Sequence, residues 1–370
     1  MVDQQLAGFS NLLIVVALAV YTVAFIAFGI DLAFSGARRS ERRFERARAA
    51  QKMSAVATSS KASGAAGATA TAVMERPDED EAQDGAGSVS GLIGPDERNA
   101  NRQALASGDG LETSHLFSGT TARRPAASFA LAMMVVAFVA HLGGVVLRGW
   151  ATQRVPWGNM YEFAVTGGCV IIAMFLGLLL WRDLRYLGTF ILGPMLLTMM
   201  VAQTQWFLPA AQLTPGLQNS HWLVIHVSVA ILATALYALG AVATILQLVQ
   251  TAREKRSAQW GAMAKLPGAH DLEGLAFRLN AIGFVLWTFT LIAGAIWANY
   301  AWGRPWGWDP KEVWTFVIWV VYAAYLHARS TRGFRGTRAA IFSLVGVVCL
   351  ILNFTVVNTM LNGMHSYSGL

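Results

Sequence analysis

Residues 297–314 read WANYAWGRPWGWDPKEVW, and these five tryptophans and one tyrosine lie between two long apolar runs. The runs cover residues 281–298 and 312–328, and each approaches the roughly 20 apolar residues that a helix needs to cross a bilayer core. The stretch therefore predicts an aromatic connection at a membrane surface. Gly and Pro separate the rings at 303, 305 and 307, which favours a shaped loop whose backbone can approach a ligand.

The same apolar composition extends over the whole chain. Of the 370 residues, 55% are hydrophobic and 13% are charged, whereas a soluble domain usually carries about a quarter charged residues. The apolar runs lack the ten-residue alternation of an outer-membrane barrel, so helices are the expected spanning elements. The sequence predicts an all-α polytopic membrane protein with about eight transmembrane helices, at 9–34, 128–149, 162–181, 187–204, 222–249, 281–298, 312–328 and 339–359.

The distribution of Lys and Arg predicts the topology. Cytoplasmic loops usually hold most basic residues, and with the N-terminus outside, the inner segments hold 24 of the 28 Lys and Arg. The outer side then keeps only Arg148, Arg154, Arg304 and Lys311. Both termini and the Trp-rich stretch are therefore expected outside, and the net charge of +7 reflects topology rather than a nucleic-acid partner.

Composition also predicts three regions. Residues 1–36 form an N-terminal transmembrane anchor rather than a cleaved signal, because no Lys or Arg precedes the first run and ARRSERRFERAR follows it. Residues 37–127 form a cytoplasmic linker, basic over residues 37–50 and disordered over residues 51–125, since Ala, Gly, Ser and Thr cannot bury a core. Residues 128–370 form a seven-helix body. Cys169 and Cys349 fall inside helices and form no CxxC or CxxCH motif, which argues against thiol–disulfide exchange and against a c-type cytochrome.

The end of the opening stretch predicts a helix start. Asp309 is a good N-cap, Pro310 suits the first helical position, and Glu312 follows three residues after the cap, which is a capping-box pattern. Trp302, Trp306 and Trp308 have two interpretations. They anchor at the headgroup level as an aromatic belt, or they form a wall for a large flat aromatic ligand. Their clustering among Gly and Pro favours the wall.

Two histidines are candidate ligands for such a molecule. His226 lies about one turn into the fifth helix from the outer side, and His365 lies just beyond the eighth helix on the same side. Each alone is an ordinary polar residue of the interface, but ionisable groups near membrane spans are functional candidates. Two neutral imidazoles on opposite faces of a flat ligand are the geometry of bis-His haem ligation.

The remaining histidines are less specific. His327 ends the seventh helix at the inner face, as a cation favoured by the helix dipole or as a ligand of an inner haem site. His141 is expected to pack within the second helix. His221 is expected at the interface, and His115 and His270 in solvated inner segments.

At this point the motifs match a known family. WANYAWGRPWGWDPKEVWTF resembles the WWD signature of haem-handling membrane proteins, and its WDPKE form resembles the CcsA (ResC) family of System II cytochrome c biogenesis, often named CcsB in actinobacteria. VPWGNMYEF, GLQNSHWLVIHV, YLHAR and VNTMLNGMHSYSGL resemble further segments of that family. The resemblance covers roughly residues 130–370 and leaves out the first helix and the linker.

The resemblance implies a function and a set of residues. Such proteins work in the bacterial plasma membrane with a ResB-type partner and, indirectly, a thiol-reducing thioredoxin-like protein. They move haem b outward and present it for thioether attachment to the CxxCH of apocytochrome c, as a subunit of a holocytochrome c synthase. The family pattern makes His226 and His365 axial ligands of the iron and places His327 at an inner haem site. It assigns the WWD surface to Trp302, Trp306, Trp308 and Asp309.

Other interpretations stay open at this point. Arg304 or Lys311 would pair with haem propionates, or would serve only to solvate the loop. Three alternative functions are a System I component of the CcmC or CcmF type, a flippase or transporter for a lipid-linked or aromatic substrate, and a structural scaffold. The flippase would use the Trp loop without any iron ligand.

Overall fold

The structure is a computed structural model that describes residues 2–64, 125–211, 220–256, 266–331 and 334–365, the side chains of 35–64 excepted. All regular secondary structure in these ranges is helical. A 3-10 turn, Arg185–Leu187, precedes α4. The helices are α1 Gln4–Gly64, α2 Pro125–Thr152, α3 Met160–Trp181, α4 Gly188–Gln205, α5 His221–Lys255, α6 Ala269–Trp302, α7 Pro310–Ser330, α8 Thr337–Phe354 and the short α9 Val356–Met360.

The membrane class is confirmed, because seven helices within the described residues are long and apolar enough to cross a bilayer. The remaining predicted span, 312–328, corresponds to α7, which has 21 residues but carries Lys311 and Glu312 in its first turn and Arg329 in its last. These charges lower its hydropathy. Short connections join α7 to α6 and to α8, so it runs between the same two ends of the bundle as its neighbours.

Helix α1 packs against the body of the protein. Ile14, Tyr21 and Phe28 are buried and spaced by seven residues, so they share one face of the helix. Ser10 Oγ donates a hydrogen bond to the Gly144 carbonyl at 2.6 Å. Residues 1–41 and 125–370 form one compact unit, and residues 42–124 form a second. The predicted domain boundaries stay a prediction.

The basic segment and the linker extend from this first helix. Helix α1 continues to Gly64, and so helical backbone passes residue 51, where the sequence predicts the start of disorder. Ala, Lys, Arg, Gln and Met are good helix formers, which explains the continuation. The rest of the predicted linker, residues 65–124, lies outside the described residues.

Buried polar and aromatic contacts fix α5, α6, α7 and α8 relative to one another. Tyr237 of α5 stacks on Tyr322 of α7 with ring centroids 3.8 Å apart. Asn280 of α6 donates to Ser343 of α8 at 2.9 Å, and the indole N–H of Trp287 donates to a backbone carbonyl of α7 at 3.0 Å. Hydrogen bonds between helices are a common means of holding bundles together in lipid. They bring the C-terminal end of α6 and the N-terminal end of α7 to one end of the bundle.

The predicted start of α7 is confirmed. Asp309 is the N-cap, Pro310 opens the helix, and Asp309 and Glu312 form a capping box. Helix α6 ends at Trp302 and is capped by Gly303, whose φ of 71° is the left-handed conformation that glycine adopts without strain. The loop 303–309 therefore begins at the C-cap glycine of α6 and ends at the N-cap aspartate of α7.

Candidate functional site

An open cavity lies where loop 303–309 meets the helix ends. Its volume is about 1390 Å³ when the mouth is counted. Most of its lining is apolar or aromatic, with a few polar groups, which is the usual composition of a site for a large organic ligand. The lining residues on which the site depends are His226, Trp297, Trp306, Lys311, Asn353 and His365.

The tautomer of His226 is fixed by its neighbour on α6. His226 Nδ1 lies 2.9 Å from the carbonyl oxygen of Thr290. A carbonyl only accepts, so Nδ1 carries the proton and Nε2 carries the lone pair. The imidazole also lies parallel to Trp297, with ring centroids 6.2 Å apart and 10° between planes. Residue 294 is a glycine here because a Cβ would come within 2.7 Å of His226 Cε1.

The tautomer of His365 is fixed in the same way by the N-cap of α7. His365 Nδ1 lies 2.8 Å from Asp309 Oδ2, and Asp309 Oδ1 accepts the N–H of Met364 at 2.7 Å. Burial raises the pKa of Asp309, but the hydrogen bonds from His365 and Met364 outweigh it and hold that pKa below its usual value. Burial lowers the pKa of His365 by more than the contact with Asp309 raises it. The pair is therefore a carboxylate and a neutral imidazole at neutral pH, with Nδ1–H donating and Nε2 as the ring nitrogen suited to a metal.

One indole connects the two histidines. Trp297 is only 1% exposed and contacts His365 with ring centroids 5.7 Å apart, besides its parallel contact with His226. Trp302 lies edge-on to His365 at 4.8 Å. Aromatic rings at these separations attract one another and restrict the orientation of the imidazoles. The sequence analysis placed Trp297 only at the start of the Trp-rich stretch, although this residue contacts both predicted ligands.

The other two predicted tryptophans differ in position. Trp306 lines the cavity, whereas Trp308 is 76% exposed, is not among the lining residues and has a φ of 60°. A bulky residue in the left-handed region is strained and persists only where its surroundings impose it. Glu312 imposes it here, because its Oε2 accepts the N–H of Gly307 at 2.8 Å and of Asp309 at 3.1 Å, on either side of Trp308.

Three buried polar atoms of the lining have no hydrogen-bond partner. They are Trp297 Nε1, Glu312 Oε1 and Asn353 Oδ1. Buried polar atoms in proteins are almost always paired, with protein or with ordered water. Three unpaired atoms on lining residues are consistent with a site that binds a ligand with polar groups, or water.

The remaining histidines lie away from the cavity lining. His327 is exposed in the last turn of α7. His141 is buried with Nε2 3.0 Å from the Val165 carbonyl and Nδ1 3.5 Å from the Tyr21 hydroxyl, which supports the packing interpretation. His221 and His270 are exposed, and His115 lies outside the described residues. Within those residues no group of three or more His, Cys, Asp or Glu could hold a metal ion.

Sequence reasoning missed a buried charge network beside the cavity. Glu162 pairs with Arg148 at 3.1 Å and with Arg154 at 2.7 Å, and it accepts the N–H of Gly158 at 2.9 Å. The network holds the loop that carries Trp157 into the cavity lining. A signal for it was present, because an acidic residue at the start of a membrane span needs a partner and both arginines were expected on the same side.

Comparison with known proteins decides the family. Residues 157–365, more than half of the chain, match the sequence profile of the cytochrome c assembly protein family. The chain belongs to this family. It is 33% identical over 254 residues to the cytochrome c biogenesis protein CcsA of Prochlorococcus marinus, which covers 60% of this chain and 78% of the relative. The CcsA proteins of Gloeobacter violaceus and Guillardia theta are 31% and 36% identical, over 64% and 58% of this chain and 85% and 77% of the relatives.

Membership of the CcsA family confirms the predicted resemblance and the predicted field of function. This member of the cytochrome c assembly family is a multi-pass membrane protein of cytochrome c biogenesis. That process handles haem and acts on apocytochrome c. The matched residues begin at Trp157 and end at His365, so they include the cavity lining and both predicted outer ligands.

Proposed function

We propose that this protein binds haem b as its substrate in the cavity, with Nε2 of His226 and Nε2 of His365 as the two axial ligands of the iron. The observation that carries the proposal is that both imidazoles are held in the same tautomer, with Nε2 available to bind a metal. Both line one cavity, and both have Nδ1 committed to an acceptor, Thr290 or Asp309. Metal-ligating histidines characteristically donate their other N–H to a carbonyl or carboxylate in this way.

The cavity wall suits the rest of the substrate. Trp297 and Trp306 supply flat apolar surface in the cavity lining, and Trp302, which is not among the lining residues, packs edge-on against His365. Bis-His ligation fills both axial positions of the iron, which keeps oxygen and water from it. The histidine of the client's CxxCH motif must then displace one imidazole, so binding at this site is reversible. The cysteine thiols of the client add across the vinyl groups while this chain holds and orients the ring.

We place the cavity at the outer face of a bacterial plasma membrane. The distribution of basic residues supports this placement, and a ResB-type membrane protein completes the synthase. Within this complex, His327 is proposed as one ligand of an inner haem site, with the partner supplying the second. Its exposure at the opposite end of α7 from Asp309 supports a role separate from the cavity.

The proposed topology has a direct test. In a variant that lacks Cys169 and Cys349, a cysteine at the exposed position Asn362 is expected to react with a membrane-impermeant maleimide on intact cells. A cysteine at the exposed position Arg256, beyond the other end of α5, is expected to react only after lysis. The reverse pattern would refute the outward orientation of the cavity.

The haem proposal is tested on the purified protein. The chain, co-expressed with its ResB-type partner in haem-replete cells, is expected to carry a low-spin spectrum typical of two imidazole ligands. Protein that is folded and free of haem under these conditions would overturn the proposal. In that case a flippase for another aromatic substrate would become the better interpretation of the cavity.

A glycine variant tests the position of His226 without changing a ligand. Gly294→Ala adds a methyl group where a Cβ would meet the imidazole at 2.7 Å, so His226 must shift and haem affinity is expected to fall about tenfold or more. Alanine favours helix over glycine by up to about 1 kcal/mol, so thermal stability is not expected to fall in parallel.

The matched control lies in the same helix. A Cβ at Gly274 would meet nothing within 4 Å, and Gly274→Ala is expected to leave haem affinity unchanged. Titration of both variants with haem, followed by absorbance, checks the prediction. Equal affinity in the two variants would show that the close approach at residue 294 does not position the imidazole.

A further inference from the structure

A single basic side chain faces the cavity. Among the lining residues that the structure describes, Lys311 is the only lysine or arginine. Its ammonium group donates to the Asn353 carbonyl at 2.9 Å and to Asn358 Oδ1 at 2.7 Å. Both acceptors are neutral, and an ammonium has three donors. Two bonds therefore position the amino group and use two of its three donors.

The acidic groups nearest in sequence use three of their four carboxylate oxygens for other partners, and Glu312 Oε1 has no hydrogen-bond partner. Asp309 accepts hydrogen bonds from Met364 and His365, and Glu312 Oε2 accepts two backbone N–H groups of loop 303–309. Within the described part of the chain, neither carboxylate forms an ion pair with Lys311. Charge removed from water is costly unless it is paired, so a ligand carboxylate that reached the Lys311 amino group would stabilise its charged form.

We infer that Lys311 binds one propionate carboxylate of the haem. The inference rests on the proposed haem function and adds the orientation of the ring, with a propionate on the wall formed by α7 and α8. Haem offers two carboxylates on one edge, and an ammonium pairs with either as a charge-assisted donor. Arg304, the other candidate, is not in the cavity lining, and its guanidinium contacts Met364 Sδ at 3.0 Å.

The test removes the charge from each side of the contact in turn. Wild-type protein and Lys311→Met, both purified without haem, are titrated with haem and with haem dimethyl ester, in which both propionates are neutral. Wild type is expected to bind haem about tenfold to a hundredfold more tightly than the ester, the size of a charge-assisted hydrogen bond. Lys311→Met is expected to bind both ligands equally, at about the affinity of wild type for the ester.

Two further variants separate recognition from packing. Lys311→Arg keeps the charge and is expected to keep the preference for haem, and Arg304→Met is the matched control that is expected to keep it fully. The inference would be overturned if Arg304→Met lost the preference for haem over the ester. It would also be overturned if Lys311→Met lowered the affinities for haem and for the ester by the same factor.

The wild-type titration alone distinguishes the two proposals. Equal binding of haem and its diester, with a bis-imidazole spectrum for both, would overturn the role of Lys311 and leave the proposed function standing. Failure to bind either ligand would overturn the proposed function. Because this comparison needs no variant, it holds even if Lys311→Met does not fold.

Discussion

Replacing His226 or His365 with alanine is expected to abolish the low-spin haem spectrum of the purified protein. Each change would remove one of the two proposed iron–nitrogen bonds. Replacing a residue that only hydrogen-bonds a metal ligand lowers metal affinity about tenfold to a hundredfold. Removing a ligand itself is therefore expected to lower haem affinity about a hundredfold or more. Imidazole in the buffer is expected to restore the spectrum, because it fits the space that the deleted ring leaves.

The control for this experiment is a histidine of the same helix. His221 is the first residue of α5, is exposed and is not among the cavity-lining residues. His221→Ala is therefore expected to retain the full spectrum. A low-spin spectrum that survives in both His226→Ala and His365→Ala would show that the iron is bound elsewhere. Imidazole rescue of only one variant would assign the other histidine a positioning role.

Replacing Asp309 is expected to separate folding from haem binding. Asp309→Ala removes the N-cap of α7, which costs about 0.5–2 kcal/mol of stability, and it also removes the acceptor of His365 Nδ1–H. Asp309→Asn keeps a good N-cap, since Asn and Asp cap equally well. It replaces the carboxylate by a neutral amide, which cannot present two acceptor oxygens to His365 and Met364 together.

The two Asp309 variants are therefore expected to differ in melting temperature. Asp309→Asn is expected to keep the melting temperature within a few degrees of wild type and to lose about tenfold to a hundredfold in haem affinity. Asp309→Ala is expected to have both a lower melting temperature and a lower haem affinity. If Asp309→Asn binds haem as wild type does, the contact with His365 is not functional and capping is the whole role of this residue.

The sequence was sufficient for features that depend on neighbouring residues. The spans follow from runs of apolar residues, because each helix in lipid must satisfy its own backbone hydrogen bonds. The start of α7 follows from Asp309, Pro310 and Glu312, because a cap is completed within one turn. The family followed from short motifs of the same kind, and the comparisons confirmed it.

Short sequence patterns are less informative about the direction in which each side chain points. Trp306 and Trp308 are equivalent in the pattern, yet only Trp306 lines the cavity, because Glu312 holds the backbone of residue 308 in a left-handed turn. Arg304 and Lys311 were equal candidates for a propionate, and the start of α7 carries only Lys311 into the cavity lining. Loop conformation decides such cases, and short-range patterns do not encode it.

What the sequence by itself determined is an all-helical membrane protein of the CcsA family with a capped, Trp-rich loop. Only the tertiary structure decided that the cap of that loop, Asp309, also holds His365, which is 56 residues away in the chain. The same holds for the contact of His226 with the backbone at Thr290 and for the ion pairs of Glu162. The physical reason is that each contact joins separate helices or the segments next to their ends, so it exists only after packing has set their distance and rotation.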